Sequence, residues 1–304
     1  MRENSSTTKE KAKRRKFGLH LTSVDVFYNY IFPEIKNRLE DHLWVDLYAG
    51  EGNLILPILE EIPEDRRITF FKNHIYLYDV QKEMVQKCIK NAECYGIPKG
   101  LAENNIKIRD NLGDFPQILK KQKYPVFHIT NPPYLYLGYI RKHNETKKYI
   151  EYFEGLNEGY QDLYQIAMMN DLRNEVDDLI YVIPTNFLFG ASVSNKFRLD
   201  FLKFYIITKM VIFETSMFEH TGTNICICFF KRKDFPREDP QLFEGLKFKD
   251  KKLSLKRDYN LQPKYKYRAG SEFDAFIEEY RAQNTLKVSY YLKKEEVMTN
   301  PGSL

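Results

Sequence analysis

The stretch Tyr124-Pro125-Val126-Phe127-His128-Ile129-Thr130-Asn131-Pro132-Pro133-Tyr134 decides the fold. Its first seven residues are aromatic or β-branched in the main, which predicts a short buried strand. Pro132 and Pro133 then end the strand, because neither has an N–H to donate and both fix φ. Asn131 and Tyr134 are therefore expected on a stiff turn at the carboxyl end of a strand, where ligands bind in open α/β sheets. A packed turn without a function is the alternative for this tetrapeptide taken alone.

An apolar run ahead of this stretch leads into a glycine loop. Leu43–Val45 predicts a strand, and Asp46 and the sequence Gly50-Glu51-Gly52 follow it. Glycines at such a junction let the backbone turn sharply and approach a ligand. The dinucleotide-binding fingerprint would need a third glycine, which is absent, and a carboxylate at Glu51 would repel a pyrophosphate. The loop therefore favours a cofactor without phosphates.

Acidic residues end the next two predicted strands. His74–Val80 carries Asp79 near its end, and a carboxylate there can accept hydrogen bonds from both hydroxyls of a ribose. Asn105–Arg109 is a short strand followed by Asp110 and Asp114. Either aspartate could point into a site, and a polar turn is the alternative for each.

Strands alternate with helical patterns along most of the chain, which predicts an α/β fold with a doubly wound, mostly parallel sheet. The last two strands are joined without room for a helix, so the final one should be antiparallel. The expected strands of this second half are Leu179–Ile183, Lys209–Phe213 and Ile225–Lys231. The expected helices are Val24–Glu40, Leu54–Glu61, Gln81–Tyr95, Tyr160–Glu175 and Asn195–Tyr205, whereas Pro63–Asn73 is interpreted as a polar insert and Leu135–Gly159 as an irregular connection.

Three regions follow from this pattern. Residues 1–16 are polar and then basic, which predicts a disordered tail. Residues 17–235 form the expected catalytic domain. Residues 236–304 are basic and weakly periodic, and we interpret them as a C-terminal extension that could be part of a DNA-recognition region.

Composition excludes several classes of protein. The chain has 304 residues, of which 43% are hydrophobic and 29% charged, as in ordinary globular proteins. It has no run of about 18 apolar residues and no apolar leader, so we expect a cytoplasmic protein without a membrane contact. The four cysteines lack metal-ligand spacing, so no metal is expected. Cys226 and Cys228 should face the same side of a strand as small hydrophobic residues.

Positive charge is concentrated in two places. The net charge is only +5, yet Lys11–Lys16 holds five cations in six residues. Lys231–Arg268 holds 13 Lys and Arg against 6 Asp and Glu, with aromatic residues between them. Such clusters are typical of contact with a phosphate backbone. A solvated face or a mobile tail would give the same pattern.

The order of these motifs resembles the gamma class of S-adenosylmethionine-dependent DNA amino-methyltransferases, the N6-adenine branch. Gly18–Ser23 is similar to the first cofactor motif of that class, with Thr22 kept and Ser23 where proline is usual. Asp46–Leu54 is similar to its glycine loop, with a leucine where phenylalanine is usual, and Asn131–Tyr134 is its NPPY motif. Val182–Leu188 and Glu214–Phe218 are similar to later motifs, so the resemblance covers about residues 16–235.

The resemblance implies a role for each matching residue. The Asn131 side chain and the Pro132 carbonyl would accept the two N–H groups of the target amine, which would then attack the sulfonium methyl group. Tyr134 and Phe218 would stack on the flipped base, although Phe218 could instead belong to the core. The implied cofactor contacts are Thr22, Asp46, Tyr48, Gly50, Gly52, Asp79, Asp110 and Asn131, with Asp114 as the alternative to Asp110. Double-stranded DNA is the implied partner.

Alternatives remain at this point. About 70 residues follow the last predicted strand, which is short for a complete recognition domain. Specificity would then come from a partner subunit or a second protein, a cognate endonuclease would be a further partner, or the chain is a catalytic fragment. Methylation of an RNA adenine or of a protein glutamine would use a similar turn. A non-catalytic DNA-binding subunit with the same fold would be expected to lack some of these motifs, which are all present here. A dinucleotide-dependent oxidoreductase fits the sequence least, because the third glycine is absent.

Overall fold

The structure, a computed structural model, describes residues 22–214 and 224–281. The chain divides into two compact units, the first ending at Ala269 and the second beginning at Gly270. Within the second unit the described residues form one helix, Ser271–Glu279. All other elements belong to the first unit.

The described part of the first unit contains one sheet of nine strands. Its order is β3-β2-β1-β4-β5-β7-β6-β8-β9. Neighbouring strands from β3 to β5 are parallel, and β7 lies antiparallel between β5 and β6. The predicted fold class is therefore confirmed, including the antiparallel strand. The strands are β1 Leu43–Asp46, β2 Ile75–Asp79, β3 Ile106–Ile108, β4 Val126–Thr130, β5 Asp178–Pro184, β6 Tyr205–Phe213, β7 Ile225–Arg232, β8 Gln241–Lys249 and β9 Lys252–Leu261.

Helices connect most of the parallel strands. The α-helices that follow β1 are α1 Glu64–His74, α2 Lys82–Cys94, α3 Lys99–Asn105, α4 Leu137–Lys142, α5 Leu163–Arg173, α6 Asn186–Phe189 and α7 Ser192–Leu202. Short 3₁₀ helices span Leu56–Glu61, Gln117–Lys121, Asn144–Phe153, Gly155–Asn157 and Pro263–Tyr265. None of the helices in the described residues is long and apolar enough to cross a membrane.

Each face of the sheet covers its own hydrophobic core. Along β1, Leu43 and Val45 belong to one core and Trp44 to the other, because successive side chains of a strand point to opposite faces. Cys226 and Cys228 of β7 share one core, and their Sγ atoms lie 3.5 Å apart. The prediction that these two cysteines are buried on one side of a strand is thus confirmed. Helices on both faces exclude water from the sheet and leave its strand ends as the places where a ligand can enter.

Two segments between β1 and β2 differ from the expectation. Pro63–Asn73, interpreted as a polar insert, largely forms α1, a helix with Phe70 and Phe71 buried. Leu54–Glu61, predicted as an α-helix, is a 3₁₀ turn that begins only at Leu56. The sequence misled us because α1 buries one narrow stripe, so that its charged residues outnumber its apolar ones. The connection from β1 to β2 is therefore an ordinary βαβ crossover.

The first helical segment is broken where a single helix was predicted. An α turn at Val24–Val26 leads into a π-helix at Phe27–Ile31, and Phe32–Ile35 and Lys36–Arg38 complete the segment. Pro33 has no N–H for the carbonyl four residues earlier, which interrupts the regular ladder. Leu135–Gly159, expected to be irregular, contains α4 and the 3₁₀ helices that follow it.

The sheet continues beyond residue 235, where we expected the catalytic domain to end. β8 pairs with β6 in parallel, and β9 pairs with β8 in antiparallel. The segment up to Leu261 is thus part of the same sheet rather than an appended region. The predicted tail, residues 1–16, lies outside the described residues.

Candidate active site

Asn131 stands at the carboxyl end of β4, at the middle of the sheet. Its side-chain Nδ2 donates a hydrogen bond of 2.9 Å to the Thr22 hydroxyl. Its Oδ1 accepts a hydrogen bond from the Tyr134 hydroxyl. The amide is therefore held from both ends, and its orientation is fixed by partners on two segments of the chain. Pro132 follows it and is buried.

Tyr134 is half-buried and faces inward. Its hydroxyl also lies 2.5 Å from the Val182 carbonyl at the end of β5. One hydroxyl proton can serve only one of these two acceptors at a time. Burial raises the pKa of Tyr134 well above its usual value, so the hydroxyl keeps its proton. The ring meets Tyr164 edge to face, with centroids 6.5 Å apart. Stacking of Tyr134 on a base stays a prediction, and Phe218 lies outside the described residues.

Thr22 joins the three sequence motifs. Besides its hydroxyl contact with Asn131, its carbonyl accepts a 2.9 Å hydrogen bond from Asn53 Nδ2 in the glycine loop. Its side chain is buried. The N-terminal motif, the glycine loop and the NPPY turn are therefore neighbours, as the expectation of one shared site requires.

Asp46 ends β1 beneath the glycine loop and is buried. It accepts hydrogen bonds from the Thr130 hydroxyl at 2.5 Å and from the Tyr48 N–H at 2.9 Å. Burial raises the pKa of Asp46 to about 6, although the electrostatic interaction with His128 and the Thr130 hydrogen bond act in the opposite direction. A carboxyl group with such a pKa is ionised at neutral pH and can stabilise a cationic ligand.

Two glycines shape the loop. Gly50 and Gly52 both have positive φ, 55° and 84°, where side chains are disfavoured. A Cβ on Gly52 would lie 2.6 Å from Leu56 Cδ1 and 2.8 Å from Cys88 Sγ. The loop can therefore close over α2 only with glycine at this position.

Asp79 ends β2 and holds the other side of the glycine loop. Its two carboxylate oxygens accept N–H groups from Gly50 at 2.9 Å and from Gln81 at 2.8 Å. Burial raises the pKa of Asp79, whereas the two backbone hydrogen bonds lower it. Each oxygen retains a lone pair for a further donor, so the carboxylate can still accept hydroxyl groups of a ligand.

Glu51 points toward α2. Its Oε1 lies 3.0 Å from Lys87 Nζ, and its backbone carbonyl accepts a hydrogen bond from Asn91. The lysine offsets part of the negative charge that we expected to repel a phosphate. The charge of Glu51 is therefore weaker evidence against a pyrophosphate than the absence of the third glycine.

The structure separates Asp110 from Asp114. Asp114 is exposed and forms an ion pair with Arg109. Asp110 accepts hydrogen bonds from the Leu112 N–H and from the Tyr152 hydroxyl. Its charge also raises the pKa of the half-buried Tyr48, after burial and the charge of Asp171. Asp110 thus interacts electrostatically with Tyr48, and contact of either aspartate with a cofactor stays a prediction.

These groups line one cleft at the carboxyl edge of the sheet. It contains about 280 Å³ of atom-free space, including some open to solvent. Its walls combine the buried carboxyl group of Asp46 with the glycine loop and with two hydrogen-bonded polar side chains, Thr22 and Asn131. The lining residues are Thr22, Asp46, Tyr48, Ala49, Gly50, Glu51, Asn53, Leu54 and Asn131. Five other predicted site residues do not line it: Gly52, Asp79, Asp110, Pro132 and Tyr134. Asp79 acts on the cleft through its hydrogen bond to the Gly50 N–H.

A buried network beneath this cleft escaped the sequence reasoning. His128 Nε2 accepts the Leu47 N–H at 3.1 Å, so its Nδ1 carries the proton and donates to Asp171 Oδ2 at 2.6 Å. The Tyr181 hydroxyl donates to the same oxygen at 2.5 Å. All three side chains are buried. The network fixes the backbone between Asp46 and Tyr48, and a histidine in the middle of an apolar strand was the only signal in the sequence.

Asp162 was also missed. It accepts the Leu135 N–H at 3.0 Å, directly after the NPPY turn, and the backbone of Tyr136 pairs with that of Asp162. Burial raises the pKa of Asp162 to about 7, and its backbone hydrogen bonds act against that shift. Its position immediately before α5 could have marked it as a helix-capping residue that anchors a neighbouring loop.

Arg198 is a third missed residue, on α7. Its guanidinium is fully buried and donates to the carbonyls of Lys266, Phe187 and Gly190 at 2.7 to 2.8 Å. Burial lowers its pKa to about 10, so it remains charged. It ties the segment that follows β9 to the motif that follows β5.

Comparisons with known proteins agree with this arrangement. Residues 11–218 match the family model of the Eco57I restriction-modification methylase. No curated protein sequence matches the chain. Among solved structures, a complex of DrdV with DNA is similar over 99% of this chain, with 12% identity and a TM-score of 0.61. The ATP-dependent Type ISP restriction-modification enzyme LlaBIII bound to DNA is similar over 82% of this chain, with 14% identity and a TM-score of 0.53.

A type I restriction-modification system methyltransferase subunit from Streptococcus thermophilus is similar over 94% of this chain, with 11% identity and a TM-score of 0.50. At these identities the likeness shows a shared fold. The chain spans 35% of the DrdV chain, 20% of LlaBIII and 57% of the Streptococcus subunit. The family match covers about two thirds of the chain and includes the glycine loop and the NPPY turn. The chain therefore belongs to the Eco57I restriction-modification methylase family.

Proposed function

We propose that this chain transfers a methyl group from S-adenosylmethionine to the N6 amino group of a flipped adenine in double-stranded DNA, as part of a restriction-modification system. The observation that carries the proposal is the Asn131 amide, held by Thr22 and Tyr134 at the rim of the acid-lined cleft. Family membership supports the reaction class.

The cleft suits S-adenosylmethionine. The sulfonium of S-adenosylmethionine is a cation. The buried carboxyl group of Asp46 is ionised above about pH 6 and supplies a negative charge. Asp79 would accept the ribose hydroxyls with its remaining lone pairs, while Gly50 and Gly52 would follow the methionine part closely. Asp110, the aspartate beside Tyr48, would accept the adenine amino group in preference to Asp114.

The NPPY turn suits an exocyclic amine. The lone pair of that amine is delocalised into the adenine ring, so the nitrogen is a poor nucleophile. Two acceptors, Asn131 Oδ1 and the Pro132 carbonyl, would bind its two N–H groups and favour a tetrahedral nitrogen. The nitrogen would then attack the methyl carbon, and S-adenosylhomocysteine would leave with the electron pair of the broken carbon–sulfur bond. The positively charged methylated amine would lose its extra proton to solvent. Positioning and electrostatics supply most of the rate enhancement.

Tyr134 has a specific part in this scheme. In the free protein its hydroxyl donates to Asn131 Oδ1, the atom that the amine needs. The Val182 carbonyl is a second acceptor at 2.5 Å. The hydroxyl can therefore release Oδ1 to the substrate and keep a hydrogen bond. Stacking of Tyr134 and Phe218 on the flipped base completes the proposal.

The chain would act with other components of a restriction-modification system. It spans a fraction of the length of the structures it resembles, so a specificity subunit or an endonuclease is a proposed partner. A cytoplasmic location, where S-adenosylmethionine and DNA are both present, completes this picture.

The test is transfer of labelled methyl from S-adenosylmethionine to genomic DNA, total RNA and a protein extract, assayed in parallel. We expect label in DNA and none in the other two. Label only in RNA, or only in protein as methylglutamine, would replace the DNA assignment. Asn131→Ala in the same assay identifies background from a contaminating enzyme, because that variant should transfer none.

A further inference from the structure

The β8–β9 hairpin is an exposed basic element that the cleft leaves unused. We define the basic hairpin as residues 247–258, the ends of the two strands and the turn between them. It contains six Lys and Arg against two Asp. Every residue from 249 to 258 is exposed. We propose that the basic hairpin contacts the phosphate backbone of the DNA duplex whose base enters the cleft, a proposal that rests on the function above.

Topology puts this hairpin at the same edge of the sheet as Asn131. β5 is parallel to β4, and β7 is antiparallel to both β5 and β6. β6 therefore runs as β4 does, and β8 is parallel to β6. The carboxyl end of β8 thus lies at the edge where β4 ends in the NPPY turn.

The separation fits a neighbouring part of the same duplex. β8 lies four strands from β4 in the sheet, about 19 Å at a strand spacing of about 4.8 Å. Duplex DNA carries one phosphate charge per about 1.7 Å of axis, so that length holds about 11 charges. A duplex that delivers a base to Asn131 therefore has many phosphates within reach of the hairpin.

Aromatic packing makes the hairpin a rigid arm. Phe248 meets Tyr30 edge to face at 5.1 Å, and Tyr30 meets Phe213 at 5.0 Å. Tyr30 belongs to the segment that begins at Thr22, the partner of Asn131, so this packing connects the hairpin to the cleft. At the other end, Tyr259 stacks on Phe243 and covers Gly245. The backbone that carries the lysines is therefore held in place before DNA binds.

The turn presents three lysines together. β8 ends at Lys249 and β9 begins at Lys252, so the loop has two residues, and both Asp250 and Lys251 have positive φ. The next cations inward are Lys247 and Lys256, which form ion pairs with Glu214 and Glu244. Lys249, Lys251 and Lys252 are therefore the cations to test.

Edge strands often carry lysines for another reason, since charge prevents pairing with a second sheet. The two roles differ in outcome. Protection of the edge predicts aggregation when the lysines are lost, with unchanged DNA binding by the remaining monomer. Phosphate contact predicts weaker DNA binding by a monomer that stays soluble.

The experiment compares two triple variants of equal charge. K249Q/K251Q/K252Q alters the basic hairpin. K120Q/K121Q/K123Q removes three exposed lysines from the segment that leads into β4, at the opposite edge of the sheet. The readouts are kcat/KM for methylation of mixed genomic DNA against salt concentration, the Kd for S-adenosylmethionine and light scattering.

We expect the hairpin variant to lower the slope of log kcat/KM against log salt by about 3, since each lost phosphate contact removes about 0.9. Cofactor affinity and kcat at saturating DNA should stay unchanged, and the control variant should match the wild type. An unchanged slope, an equal loss in both variants, or a loss explained by aggregation would overturn the inference. A wild-type protein that methylates no DNA would instead overturn the proposed function, and this result would be seen before any variant is made.

Discussion

The carboxyl edge of the sheet carries two polar regions of opposite character. In the cleft around Asn131, polar groups are mostly buried or half-buried and bound to partners on other segments. In the basic hairpin, ten consecutive residues are exposed, and the charges belong to one short turn and its flanking strands. Under the proposed function, the cleft holds one small ligand in one geometry. The hairpin is suited to a repeated, diffuse charge.

The difference determines how each region should respond to substitution. Where groups are buried and paired, removing one leaves its partner unsatisfied, and the loss is large and local. Where charges are exposed, each removal is small and depends on salt.

Asn131→Ala should give the largest effect. It removes the acceptor proposed to orient the amine, so the rate of methyl transfer should fall about 10³-fold or more. Binding of S-adenosylmethionine, measured by calorimetry, should change only a few-fold. Asn53→Ala is the matched control, because Asn53 also bonds Thr22 but through its carbonyl. Equal losses of rate in both variants would show that Asn131 acts only by positioning Thr22.

Arg198→Ala tests a buried cation against the exposed ones of the hairpin. Four carbonyl or amide oxygens would lose their donor, so we expect the free energy of unfolding to fall by about 3–5 kcal/mol. Denaturant titration followed by fluorescence measures the change. Lys196→Ala, which removes an exposed ion pair with Asp200 on the same helix, should cost less than about 1 kcal/mol. A small loss of stability in Arg198→Ala would mean that buried, paired charges are no more sensitive to substitution than exposed ones.

Asp171→Asn should weaken cofactor binding without touching the cleft. It disturbs the hydrogen bond that holds His128, and through it the Leu47 N–H beneath the glycine loop. We expect a loss of about 1–3 kcal/mol in stability and about a tenfold rise in the Kd for S-adenosylmethionine. Tyr181→Phe removes only the second donor to Asp171 and should have the smaller effect on Kd. If both variants lose stability but keep the wild-type Kd, the network is structural only.

The pH dependence of cofactor binding should follow Asp46. Burial raises its pKa to about 6, so the carboxyl loses its proton as the pH rises through that value. Since the ionised form attracts the sulfonium, affinity should increase from pH 5 to about pH 7 and then level off. The gain should be about tenfold over this interval. Asp46→Asn should bind weakly with a flatter profile, and an unchanged profile in that variant would assign the titration to another group, such as Asp162.

The sequence identified the motifs that meet at the end of β4 but did not predict the strands of the hairpin, for a physical reason. Asn131, Asp46 and the two loop glycines belong to local motifs in which residue type and backbone geometry are linked. The fold class followed from the same alternation of strands and helices. His128, Asp171 and Arg198 bind partners far away in the chain, and local patterns carry no trace of such contacts.

The region after residue 235 illustrates the limit. β9 lies at the exposed edge of the sheet, and charged residues stand between the apolar residues of both strands, so their alternation was hidden among lysines. The same charges that obscured the strands indicated contact with phosphate. α1 was missed in a similar way, because Phe70 and Phe71 are its only buried apolar residues.

The most direct test of the central claim is the identity of the methylated nucleoside. DNA labelled by the wild-type protein with S-adenosylmethionine is digested to nucleosides and analysed by mass spectrometry, with the Asn131→Ala product as the blank. We expect N6-methyladenine as the new nucleoside. Methylcytosine, or label that remains in RNA or protein while DNA stays unmodified, would contradict it.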